Sequence, residues 1–113
     1  MIEEKLYDLK QLQEIAAGSE EFIKKMVGMF LELTPQLTER VVNGVKLQDW
    51  DEVKSASHKM KPSIDMMGIG ALYDTVRNIE SSAKNRENLE SIPDEVEKLS
   101  SVLELVYEQL KAR

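Results

Sequence analysis

Between Asp49 and Gly68 the apolar residues fall into one repeating pattern. Trp50, Val53, Ser57, Met60, Ile64 and Met67 follow one another at steps of 3, 4, 3, 4 and 3, with the small Ser57 at one contact point. A strand alternates every second residue, so this spacing fits a helix with one side turned inward. Asp49, with Glu52 three residues on, makes a capping-box start, and Gly68-Ile69-Gly70 ends the pattern. Such a helix needs partners to cover its seam.

The rest of the chain supplies them. Glu3 to Ala17 carries Leu6, Leu9, Leu12 and Ile15 or Ala16 at helical spacing, and Gly18 suits its end, so a short first helix with a frayed start is expected. Ser19, followed by Glu20 and Glu21, starts a second helix that runs to about Lys46. Its apolar face is read as Phe22, Met26, Met29 with Phe30, Leu33, Leu37, Val41 and Val45. Pro35 removes one backbone donor, yet the stripe continues in phase on both sides, which predicts one kinked helix. Asn43-Gly44 is expected to loosen its end.

Leu72, Val76, Ile79 and Ala83 predict a helix after Gly70, and the polar run from Asn85 to Ser91 breaks it. Ser91, with Pro93 in the first turn and Asp94 three residues on, starts the last helix, which carries Ile92, Val96, Leu99, Leu103, Val106 and Leu110 to about Ala112. The expectation is an all-α fold: an antiparallel up-down four-helix bundle with a short additional N-terminal helix. One domain is expected over residues 1–113.

Composition then narrows the chemistry. Without cysteine there is no disulfide, zinc-thiolate site or thiol nucleophile. A single histidine excludes a histidine-rich metal site, and a net charge of −6 argues against nucleic acid as a partner. No stretch approaches the ~20 apolar residues of a membrane span, and no leader is recognisable, so a soluble, cytoplasmic chain is expected. Met26, Met29, Met60 and Met67 are read as core packing, and Met66, off the stripe, as exposed. Gly68-Ile69-Gly70 lacks the preceding strand and third glycine of a nucleotide loop. The carboxylate pairs Glu3-Glu4 and Glu20-Glu21 sit at helix starts, where the helix dipole accounts for them.

His58 is the remaining candidate. One residue past Ser57, it lies about 100° around the helix from the seam, on a flank open to solvent. Lys54, Lys61 and Asp65 share that flank, and Lys59 adds another positive charge. In an acidic chain this cluster is a local reversal of sign that would stabilise an anion on the imidazole. Surface lysines usually serve solvation and a lone surface histidine usually does nothing, so position alone leaves both readings open.

The run His58-Lys59-Met60-Lys61-Pro62-Ser63, followed by Met67-Gly68, resembles a known signature. It is similar to the His-x-Leu-Lys-Gly-Ser motif and Leu-Gly turn of the histidine-containing phosphotransfer (HPt) domains of multistep two-component signalling. Asp49-Trp50 and Phe30-Leu31-Glu32 also fit, and the resemblance spans roughly Tyr7 to Lys84. It implies that His58 is a phosphoacceptor attacking through Nε2 and that Lys61 neutralises phosphoryl oxygens. Glu80 would accept the Nδ1 hydrogen of His58, and Ser63 would be a small hydroxyl near the site. The implied partners are response-regulator receiver domains and a hybrid sensor kinase, with Mg²⁺ carried by the receiver. The chain itself would need no metal or cofactor and would be a phosphoryl carrier without kinase activity. Leu12, Ile15 and Met66 are candidate apolar docking residues.

Pro62 departs from the family's usual glycine and removes the backbone bond from residue 62 to the His58 carbonyl. Two other readings stay open: a helical scaffold or adaptor with an inert His58, and the phosphoacceptor segment of a larger histidine kinase. A sensor-kinase dimerisation hairpin also has a proline after its histidine, but it carries an attached ATP-binding domain that this sequence lacks. Met1 and the charged ends favour a free-standing chain. A monomer is expected, because the seams are used up within one bundle.

Overall fold

The computed structural model describes residues 4–113. These form five helices: α1 (Lys10–Ala16), α2 (Glu20–Lys46), α3 (Trp50–Met66), α4 (Tyr73–Asn85) and α5 (Ile92–Lys111). Short 3₁₀ turns at Gly70–Leu72 and Leu89–Ser91 lead into α4 and α5. Consecutive long helices pack on one another, α5 closes back on α2, and α1 lies against α2. No described helix is long and apolar enough to cross a membrane.

The seam of α3 is the centre of the core. Val53, Ser57, Met60, Ile64 and Met67 are all buried, while Trp50 at its start is half-buried. Burying Ser57 leaves no polar group stranded, because its hydroxyl donates to the Val53 carbonyl at 2.7 Å. Val76, Ile79 and Ala83 of α4 and Ile92, Leu99, Leu103 and Val106 of α5 are buried in the same core, as predicted.

Helix α2 has the predicted limits but a different inner face. Ser19 Oγ accepts from the Phe22 amide at 3.2 Å, and the helix continues through Pro35 to Lys46. Its buried residues are Ile23, Val27, Phe30, Thr34, Val41 and Gly44. The first half is therefore turned by about one residue, or 100°, from the predicted stripe. Met29 and Leu33, read as core, are 43% and 47% exposed. Two contacts favour this rotation: the Phe30 ring meets Tyr107 of α5 edge-on at 5.8 Å, and Gly44 faces α3. A Cβ on Gly44 would lie 2.8 Å from Val53 Cγ2, so this glycine is a close helix contact and not a loosened end.

The predicted first helix is shorter in the structure. Its expected start at Glu3 lies outside the described residues, and residues 4–9 are not helical. Their backbone groups are taken by distant partners: Gln109 accepts from the Leu6 amide at 2.9 Å and donates to the Glu4 carbonyl at 2.8 Å. The Asp8 amide donates to the Met67 carbonyl at 3.0 Å. This strap crosses the end of α3 at Gly68, where φ is +62° and a Cβ would sit 2.8 Å from Asp8 Cβ.

Two predicted caps are altered. Asp49 accepts from the Glu52 amide at 3.2 Å, but the Glu52 carboxylate turns to Arg40 at 2.6 Å and ties α3 to α2. Ser91 does not cap α5; its hydroxyl donates to the Asn88 carbonyl at 2.8 Å within the preceding turn.

Candidate functional site

Helix α3 presents His58 to solvent, and α4 brings Glu80 beneath it. The His58 side chain is 67% exposed, whereas that of Glu80 is 17% exposed. His58 Nδ1 lies 2.5 Å from Glu80 Oε2, and Lys61 Nζ lies 2.6 Å from Oε1. Lys61 reaches Glu80 because it stands one turn beyond His58 on the flank nearest α4. Burial pushes the Glu80 carboxyl pKa up, but the Lys61 and His58 hydrogen bonds outweigh it and hold the group below its ordinary value. An ionised carboxylate only accepts, so Nδ1 carries the shared proton. In the neutral ring, Nε2 then keeps its lone pair.

An open groove of about 780 Å³ runs beside His58 and is lined by Lys54, Lys59, Lys61 and Lys84, with Asp51 and Glu80. Among the described residues, Lys54, Lys59 and Lys84 form no ion pair, which leaves their charge available to an anion. Lys84 was not picked out from the sequence, although its place four residues after Glu80 puts it on the same face of α4.

Ser63 lies apart from this groove. It borders a narrower cleft of about 100 Å³ with Met26, Met29, Leu33 and Met66, between α2 and α3. Of the expected docking residues, Ile15 is exposed and Met66 half-buried, but Leu12 is fully buried and unavailable. Helix α3 runs unbroken through Pro62, which is exposed one turn past His58.

Two further ion pairs tie α3 to α4 or to the residue that ends it. Arg86 Nη2 lies 2.9 Å from Asp51 Oδ1 at one end, and Arg77 Nη2 lies 2.8 Å from Asp65 Oδ2 at the other. The α3 partners Asp51, His58 and Asp65 stand seven residues apart along one flank. Their pairing with α4 required the helix register, which sequence spacing alone does not give.

A family model described as the Hpt domain matches residues 25–113. The chain belongs to the Hpt domain family. The match takes in α3, α4, α5 and most of α2. It therefore reaches beyond the Lys84 limit read from the motif and leaves α1 and the strap outside. No curated protein and no solved structure gave a match. Membership implies histidine phosphotransfer in two-component signalling, and Hpt domains act there as carriers and not as kinases.

Proposed function

We propose that this Hpt domain is a phosphorelay intermediate that takes a phosphoryl group from a receiver aspartate onto His58 and passes it to another receiver. The observation that carries this reading is the short contact between Glu80 and His58 Nδ1. An inert surface histidine has no need of a largely buried carboxylate at one specific nitrogen; a nucleophile does.

In the proposed step, Nε2 attacks the phosphorus of an aspartyl phosphate in line. The new N–P bond forms as the P–O bond breaks, and the electron pair leaves with the aspartate carboxylate. A neutral imidazole becomes positively charged in this reaction, and Glu80 stabilises that charge through the Nδ1 hydrogen. The receiver contributes its Mg²⁺; this chain contributes positioning and charge. Lys61 shares Glu80 at rest and turns toward the phosphoryl oxygens as they arrive, with Lys54, Lys59 and Lys84 supplying the wider positive field. Transfer to a second receiver reverses the same step.

The receiver docks along the other flank of α3, where exposed Met29 and Leu33 join Met66 around the Ser63 cleft and exposed Pro62 precedes Ser63 in the chain. Ser63 acts there, at the edge of docking. The short connections between consecutive long helices support the antiparallel up-down arrangement. The bundle works as a cytoplasmic monomer between a hybrid sensor kinase and its response regulator. The relay is tested by mixing a radiolabelled, phosphorylated receiver with this chain and then adding a second receiver. Label should move through the chain to the second receiver; label that never leaves the first receiver, across a panel of receivers, contradicts the proposal.

A further inference from the structure

We propose, resting on the reading of His58 as phosphoacceptor, that Asp65 is a positioning residue that keeps Arg77 from drawing Glu80 away from His58. Arg77 stands three residues before Glu80 on α4, so the two side chains are neighbours on one helix face. A guanidinium fork is a stronger partner for an ionised carboxylate than a neutral imidazole. Left free, Arg77 competes with His58 for Glu80. Asp65 occupies that fork: its Oδ2 lies 2.8 Å from Nη2 and its Oδ1 lies 3.3 Å from Nη1. Nη1 also donates to the Tyr73 carbonyl at 3.1 Å, which aims the group back along α4.

The energetics argue against a purely structural role. Arg77 and Asp65 are 46% and 41% exposed, and pairs this open contribute only about 0–1 kcal/mol to stability. Their position says more. Asp65 lies two turns past His58 and one turn past Lys61 on the same flank, and Arg77 is close enough to Glu80 to feel its charge. Asp74 is the other carboxylate three residues from Arg77, but it is exposed in the first turn of α4. Glu80 is largely buried, and an ionic contact there is less screened by water.

His58 is the only histidine, so its ring nitrogens can be read without ambiguity by ¹⁵N NMR in the full chain at a pH where the ring is neutral. Phosphorylation can be timed in parallel with phosphoramidate, whose P–N bond breaks with release of ammonia as the bond to Nε2 forms. In Asp65→Asn the Nδ1–H tautomer signature should weaken and phosphorylation should slow by about tenfold, in the range for losing a histidine-orienting partner. Adding Arg77→Ala to that variant should restore both, and Arg77→Ala alone should match wild type. A mere clamp between helices predicts the opposite: Arg77→Ala as harmful as Asp65→Asn, with no rescue. Ring signals unchanged in Asp65→Asn, as when Arg77 turns to Asp74, also overturn the proposal. If wild-type His58 takes no phosphoryl group, the relay reading fails, and the ring signals alone decide the role of Asp65.

Discussion

Glu80 Oε2 lies 2.5 Å from His58 Nδ1, so a residue of α4 engages one specific nitrogen of an α3 histidine and not the other. In the proposed mechanism Glu80 is the residue through which the bundle acts on the ring, and substitution there separates its hydrogen bond from its charge. Glu80→Ala should slow phosphoryl transfer about 10- to 100-fold. Glu80→Gln, which can still accept the Nδ1 hydrogen but carries no charge, should fall in between. Single-turnover transfer from a phosphorylated receiver measures this, with circular dichroism to confirm that the helices remain. An unchanged rate in Glu80→Ala would show that tautomer control plays no part.

The same carboxylate gives a pH signature in stability. Burial raises its pKa, the Lys61 and His58 bonds lower it, and the net shift is downward. A depressed folded-state pKa means that the unfolded chain binds the proton more tightly. The Glu80 contribution is then fully present above the ordinary carboxylate range and lost as pH falls through the folded value. The Tm advantage of wild type over Glu80→Gln should therefore shrink between neutral pH and about pH 3. A difference that stays constant or grows contradicts the assignment.

Most of the fold was legible because the α3 seam from Val53 to Met67 offers one apolar face and no competitor. Helix α2 carries two adjacent stripes, and periodicity could not rank them. The buried stripe contains polar Thr34, while the exposed one contains Met29 and Leu33, so hydrophobicity pointed the wrong way. Leu6 and Leu9 keep helical spacing in a segment whose backbone donors go to Gln109 and Met67, contacts that no local pattern reveals. At the site, position singled out His58, whereas the role of Glu80 came from the family resemblance. The pairing of Arg77 with Asp65 depended on how α4 slides along α3.

The exposed stripe of α2 makes its own prediction. Met29→Glu or Leu33→Glu should leave Tm nearly unchanged, since neither side chain fills the core. Receiver affinity should drop about tenfold, or ~1.4 kcal/mol, with little change in the rate at saturating receiver. Unaltered affinity would place the docking surface elsewhere.

Gly44 tests the packing of α2 on α3. Gly44→Ala forces a methyl group to within 2.8 Å of Val53 Cγ2 and should cost about 1–3 kcal/mol in chemical denaturation. Adding Val53→Ala relieves the clash, so the two losses should be less than additive. Full additivity would mean that the helices are not in contact at this point.

The central claim is that His58 carries the phosphoryl group, and the chemistry of the modified residue tests it most directly. After incubation with a phosphorylated receiver, wild type should hold a phosphate that is labile in acid and stable in alkali. His58→Gln should hold none while remaining folded. An acid-stable phosphate, or equal labelling of His58→Gln, would contradict the account.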